Sequence, residues 1–230
     1  PFFLYFAMNI PHANNEAGGD VRAGKNGMEV PDHGSFAEKD WPDQEKGFAR
    51  MIEIIDSDVG RILDRLDALG LAQNTLVLFS SDNGPHQEGG HKMTYFDSNG
   101  PLRGMKRDLY EGGIRVPLIV HWPGHIRPGV ESDHISGFQD ILPTLAEIAG
   151  KGVADTDGDA GQQKKHPHLY WEFHEQGGKR AVRKGFWKAV QRNIRRSQNS
   201  PTELYDLSQD LGEKVDVSAQ YPEMVAEMKR

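Results

Sequence analysis

The longest periodic pattern in the chain lies between Gly47 and Leu69. Phe48, Met51, Ile52, Ile55, Val59, Ile62, Leu63, Leu66 and Leu69 recur at three- and four-residue steps, the period of one face of an α-helix. Glu53, Asp56, Arg61, Asp64 and Asp67 fall opposite, and Gly70 sits where a left-handed glycine ends a helix. A stripe this wide has to be buried against another layer. The apolar runs around it supply one: PFFLYFAMNI at the start, TLVLFS from Thr75 to Ser80 and VPLIVHW from Val116 to Trp122 read as buried strands. FQDILPTLAEIA, from Phe138 to Ala149, returns to helical spacing, with Pro143 at a kink or a first turn. Strand, helix, strand, helix in this order predicts an α/β class with a largely parallel sheet.

The pattern changes after Gly150. Residues 151–168 are rich in Gly, Asp, Gln and Lys and read as a linker. Beyond it the short runs LYWEF, AVRKGFWKAVQ and ELYDL predict a small antiparallel sheet, and Pro222 is placed to start a terminal helix. The expected organisation is therefore 1–150, a linker at 151–168 and a C-terminal subdomain at 169–230. With 27 Lys and Arg against 34 Asp and Glu, the net charge of −7 argues against a nucleic-acid partner. No apolar run reaches the ~18 residues of a membrane span, so no membrane partner is expected. Cys is absent, which removes disulfides, thiolate metal sites and a cysteine nucleophile from these residues.

The residues that could carry chemistry sit at strand ends. Asp82 and Asn83 follow the TLVLFS run, at the edge of a sheet where α/β proteins bind ligands. Both offer oxygen to a hard cation such as Ca²⁺, which needs about 6–8 such donors; DNGP is equally a turn sequence. His12 follows the first run, and His86 and His91 follow Asp82 in the next loop, so histidines could converge on one sheet edge. Lys106 lies in GPLRGMKRDLYEGGIRVP, where a Lys and two Arg could hold an anion or form a solvated basic face. No GxGxxG, P-loop or G-x-S-x-G elbow is present.

Taken together, PFFLYFAMNIPHANNE, TLVLFSSDNGPHQEGGH, NGPLRGMKRDLYEGGIRVPLIVHWPG and LYWEFHEQGGKRAVRKGFWKAVQ resemble the type I sulfatases, of the arylsulfatase-like kind within the alkaline phosphatase superfamily. SDNGP followed at this distance by LRGxKxxxxEGGxRVP is the specific part. The resemblance implies a mixed sheet sandwiched by helices, followed by a small C-terminal antiparallel sheet plus helix. It implies sulfuric ester hydrolysis by a formylglycine nucleophile with Ca²⁺, acting on a small-molecule or carbohydrate sulfate ester. It further implies roles for particular residues: Asp82 and Asn83 as metal ligands, His12 and Lys106 as catalytic groups against sulfate or the leaving group, and His86 and His91 on the substrate side. A periplasmic or secreted location is the family's habit.

Two features of the family are not found. None of the 13 prolines has a Cys or Ser two positions before it, so the Cys/Ser-x-Pro-x-Arg motif from which formylglycine is made is absent. The strand carrying an Asp-Asp pair of further metal ligands is absent too. The chain is thus expected to be the C-terminal portion of a sulfatase, inactive alone, with an incomplete Ca²⁺ site and exposed apolar surface prone to association. Two other readings stay open: a phosphate or phosphonate monoester hydrolase of the same superfamily, and a non-catalytic protein that binds sulfated glycans.

Overall fold

The expected long helix is present as α1, Asp43–Ala68. Asp43 and Glu45 occupy its first turn and Arg65 its last, the arrangement that the helix dipole favours. Leu69 ends it, and Gly70 follows at φ +66°, in the left-handed region that a C-terminal glycine supplies. The computed structural model describes residues 1–16, 27–150, 166–197 and 199–230. The expected linker at 151–168 therefore lies for the most part outside the described residues.

The chain divides into two compact units, Pro1–Pro128 with Leu211–Lys214 and Gly129–Asp210 with Val215–Arg230. In the first, strand β1, Val77–Ser80, pairs with β2, Leu118–His121, in antiparallel register from Val77 opposite His121 to Ser80 opposite Leu118. The segment joining them contains one short helix, α2, Glu111–Ile114. The inner stripe of α1 packs through Met51 against Ala13 and Met28, with Ile10, Val30 and Phe48 around them. Gly47 permits this approach, because a Cβ there would lie 2.0 Å from the Met28 carbonyl oxygen.

The opening residues differ from expectation. Residues 1–9 carry no strand, and Phe2, Phe3, Leu4, Tyr5 and Phe6 are exposed. A strand exists only where a neighbour completes its hydrogen-bond ladder, and among the described residues β1 and β2 pair only with each other. A two-stranded ribbon cannot bury an apolar face by itself. Leu118, Ile119 and Val120 of β2 are accordingly exposed as well.

The second unit begins with a single 3₁₀ turn that leads into α3, Ile141–Ile148. Pro143 falls in the first turn of α3, where its missing N–H costs no helical hydrogen bond. Four strands follow: β3, Leu169–Phe173; β4, Lys179–Lys184; β5, Trp187–Arg192; and β6, Thr202–Asp206. They form one antiparallel meander in sequence order. Helix α4, Pro222–Met228, starts on its proline and covers the sheet. Met228 packs with Ala189 and Leu204, ringed by Val182, Trp187, Val217, Met224 and Val225. The mixed helix-and-strand class and the small C-terminal sheet with its helix match expectation; the strands expected in a largely parallel sheet, β1 and β2, instead pair antiparallel. Among the described residues no helix is long and apolar enough to cross a membrane.

The exposed apolar side chains of residues 2–6 and of β2 generate a prediction. Apolar patches of this kind drive association, so the 230-residue chain self-associates in sedimentation velocity, and charge-bearing replacements at Phe3 and Ile119 reduce it. A monomer at all concentrations contradicts the prediction.

Candidate functional site

Two turns build the site, and backbone contacts without side chains hold them together. After β1 the chain turns through Ser81–Gly84, where the Ser81 hydroxyl donates to the Asn83 carbonyl at 2.9 Å and the Asn83 amide donates to the Gly84 carbonyl at 2.8 Å. The Gly84 N–H donates to the Gly113 carbonyl at 3.0 Å. A Cβ on Gly84 would sit 1.8 Å from the Gly112 carbonyl oxygen, so no other residue fits without moving the backbone. Gly112 and Gly113 are equally confined: their Cβ atoms would lie 2.5 Å from the Arg103 and 2.3 Å from the Asp108 carbonyl oxygens. These contacts wrap residues 103–108 onto the start of α2. The Lys106 N–H then donates to the Pro85 carbonyl at 2.8 Å, which sets Lys106 beside the Asp82–Asn83 turn.

Behind α2, Glu213 acts as a buried clamp. Its carboxylate accepts the Glu111 N–H at 2.7 Å, and its carbonyl accepts from Arg103 at 2.7 Å. The Arg103 guanidinium in turn lies 3.9 Å from the centre of the Tyr110 ring, a cation–π contact.

Lys106 and His12 meet although 94 residues separate them: Nζ lies 2.7 Å from His12 Nε2. His12 Nδ1 lies 2.8 Å from the Ala13 carbonyl oxygen, so the proton is on Nδ1 and, in the neutral ring, Nε2 presents its lone pair to the ammonium. Glu88 joins them. Its Oε2 lies 2.9 Å from Lys106 Nζ and 3.6 Å from His12 Nε2, and its Oε1 accepts from Arg107 Nη1 at 2.6 Å. Burial works to raise the Glu88 carboxyl, but hydrogen bonds from Arg107, Lys106 and Asn15 outweigh it and hold the group down at about 2. Glu88, Lys106 and Arg107 border a cavity of about 210 Å³ that is also lined by His86, Gln87 and Met105.

His86 forms part of that wall with both nitrogens engaged. Nε2 donates to the Pro11 carbonyl at 2.9 Å, and Nδ1 accepts the Glu88 N–H at 3.0 Å. This pattern requires the neutral ring, and burial pushes its pKa below the usual imidazole value, in the same sense. His86 thereby fastens the 86–88 loop to the segment that carries His12.

His91 lies in the interior. Its side chain, expected on the substrate side, is 0% exposed. Nδ1 lies 2.6 Å from Glu45 Oε2 on α1, and the ring stacks on Phe48 with centroids 3.8 Å apart. Glu45 Oε1 accepts the Lys92 N–H at 2.9 Å. Glu45 and His91 therefore pin the far end of the loop to the helix.

The structure thus unites His12, Lys106 and His86, sets Asp82 and Asn83 on the turn that anchors Lys106, and removes His91 to the interior. Sequence reasoning missed Glu88, Arg107, Asn15 and Glu45. Glu88 had a signal, being the acid of the HQEGGH loop. Glu45 had none, since an acid in a first helical turn is ordinary.

A Ca²⁺ site is met in kind but not in number. Asp82 and Asn83 offer hard oxygen donors, and the Asn83 amide nitrogen is tied to Gly84, which leaves Oδ1 as its accepting end. Among the described residues no group of three or more acidic or histidine side chains gathers to hold a metal, against the about 6–8 oxygens Ca²⁺ takes.

Comparison with known proteins gives one family throughout. The profile of the family described as Sulfatase matches residues 1–151, and that of "N-sulphoglucosamine sulphohydrolase, C-terminal" matches residues 105–230. Arylsulfatase A of Homo sapiens is 30% identical over 263 aligned residues, which cover 100% of this chain and 48% of that protein. The N-acetylgalactosamine-6-O-sulfatase of Bacteroides thetaiotaomicron is 29% identical, covering 99% and 46%. A crystal structure described as Ps i-CgsB in complex with k-i-k-neocarrahexaose superposes with a TM-score of 0.77 at 30% identity, covering 99% of this chain and 48% of that one. The chain spans about half the length of these relatives, and its fold is the one they share, that of the alkaline phosphatase superfamily.

Two predictions concern the loop. Replacing Glu45 by Ala leaves His91 enclosed without its partner and costs about 3 kcal/mol, the scale for breaking a buried pair, as read by urea unfolding. Stability also falls on acidification. The unfolded chain protonates His86 near its ordinary 6.5 while the folded ring resists, so stability is lost as pH drops below that value. Glu88 removes more between its ordinary 4.5 and about 2. Denaturation midpoints measured across this range decline throughout, and His86→Gln flattens the upper part of the decline.

Proposed function

We propose that this chain serves the hydrolysis of sulfate esters, because it belongs to the sulfatase family. The observation that carries the reading is the meeting of Lys106 and His12, with Nζ and Nε2 2.7 Å apart, beside the turn that bears Asp82 and Asn83. A sulfate monoester presents anionic oxygens at one end and an alkoxide leaving group at the other. Lys106 offers a fixed positive charge to the sulfate oxygens, and stabilisation of this type is commonly the largest contribution to such chemistry. His12 keeps Nε2 turned toward the same place through its Nδ1 contact to Ala13. In its protonated form it donates from Nε2 to the departing oxygen, the general-acid role.

Asp82 and Asn83 would contribute two of the oxygen donors of a Ca²⁺ site, with other donors required from outside the described residues. When bound, the metal polarises the sulfate oxygens. The nucleophile of the family, formylglycine, has no precursor motif in these 230 residues. We therefore draw no step through either group.

For substrate, we favour a carbohydrate sulfate ester. The relatives named N-acetylgalactosamine-6-O-sulfatase and Ps i-CgsB, the latter in complex with a neocarrahexaose, support that class.

The test is turnover of 4-nitrophenyl sulfate and of sulfated oligosaccharides by a polypeptide that carries this chain together with a formylglycine segment. Lys106→Ala lowers kcat/KM by about 100-fold or more, the scale for losing one charge-stabilising group, and the 230 residues alone show no turnover. Faster hydrolysis of 4-nitrophenyl phosphate than of the sulfate contradicts the reading.

A further inference from the structure

Glu88 is an acid in a place that the proposed chemistry leaves to cations. Its Oε2 accepts from Lys106 Nζ at 2.9 Å and from Asn15 Nδ2 at 3.4 Å, and His12 Nε2 lies 3.6 Å away. Its Oε1 takes Arg107 Nη1 at 2.6 Å. One carboxylate thus gathers the donors that would otherwise converge on an anion. The Glu88 and Lys106 side chains are only 16% and 15% exposed, so their attraction is less screened than that of a surface pair.

The surrounding backbone holds this arrangement firmly. The Glu88 N–H is fixed on His86, whose other nitrogen is fixed on Pro11. The Glu88 carbonyl accepts the His91 N–H at 3.1 Å. Arg107 has φ +76°, a left-handed conformation that is strained for a residue with a Cβ and is found where the surroundings over-determine it. The loop therefore fixes the Glu88 backbone, while its side chain borders a cavity of about 210 Å³. That space is large enough to admit a tetrahedral anion.

We propose that Glu88 is a built-in counter-anion of the sulfate subsite: with no substrate its carboxylate neutralises and holds Lys106 and Arg107, and a sulfate group binds by displacing it. The proposal rests on the sulfate ester reading above. A sulfate monoester brings the cations the same −1 charge as the carboxylate that it displaces from them. The exchange favours sulfate by geometry, because three terminal oxygens offer Lys106, Arg107 and Asn15 one acceptor each where a carboxylate has two. An anion with fewer acceptors gains less from the exchange, so Glu88 sets a threshold that a weakly held anion does not pass. Glu88 is also held fully ionised at neutral pH, with its carboxyl at about 2. The counter-anion is therefore present under any ordinary condition.

The experiment titrates inorganic sulfate, and separately chloride and acetate, into the 230-residue chain by calorimetry, for wild type, Glu88→Gln, Glu88→Asp and Lys106→Ala. Glu88→Gln keeps the shape and removes the charge; it binds sulfate roughly fivefold to tenfold more tightly than wild type, the scale of a partly enclosed charge pair. Its preference for sulfate over acetate narrows. Glu88→Asp keeps the charge on a side chain one methylene shorter and also binds more tightly, to a smaller extent; it carries the test if the Gln variant does not fold. Sulfate binding that depends on Lys106 but is unchanged or weaker in both Glu88 variants overturns the proposal alone and makes Glu88 a positioning residue. No sulfate binding by wild type or by any variant overturns the sulfate reading of the site, and this proposal with it.

Discussion

The contact between Gly84 and the start of α2 decides where the chemistry-bearing side chains of this chain lie. Two backbone segments approach so closely that a single Cβ on Gly84 would fall 1.8 Å from a carbonyl oxygen. Because they do, the Gly84 N–H reaches Gly113 and the Lys106 N–H reaches Pro85. The turn with the oxygen donors and the loop with the cations thereby become one piece. The ribbon of β1 and β2 could not achieve this. It is four residues long on each side, exposed along β2, and its strands end well short of Lys106.

The fold was legible where burial imposes a period. α1 was marked by its stripe and by Gly70, and α4 by Pro222. The meander β3–β6 was marked by short apolar runs between turns. The period carries no information about partners, and this is where expectation and structure part. PFFLYFAMNI is as apolar as any buried strand, yet a strand is a relation between two segments, and among the described residues β1 and β2 pair only with each other.

The site was legible in its motifs rather than in its spacing. Lys106, Asp82, Asn83 and His12 stand out because a family resemblance marks them; read singly, each is a turn residue or a surface charge. Glu88 and Glu45 were hidden for a physical reason. Their significance lies in contacts with residues 18 and 46 positions away, Lys106 and His91, and neither partner can be inferred from local pattern. The two loop histidines show the same limit from the other side. Both resembled ligand-facing residues, and both are engaged by neighbours in the fold. His86, a neutral imidazole with a donor at one nitrogen and an acceptor at the other, is an efficient rivet for a loop without regular secondary structure, because it satisfies two backbone groups at once.

That rivet has a consequence for catalysis. Charge stabilisation by a lysine is effective only if the ammonium is held in place before the substrate arrives, since a group that must reorganise gives back what it contributes. Lys106 sits on a long loop, which by default is mobile. Here the loop is fixed at four places: Pro85 on the Lys106 N–H, Gly113 on the Gly84 N–H, His86 between Pro11 and Glu88, and Glu45 on His91 and Lys92. None of these restraints uses the Lys106 ammonium itself. The loop is therefore ordered by atoms that take no part in charge stabilisation, and the Lys106 side chain exchanges its anionic partner without disturbing the backbone that carries it.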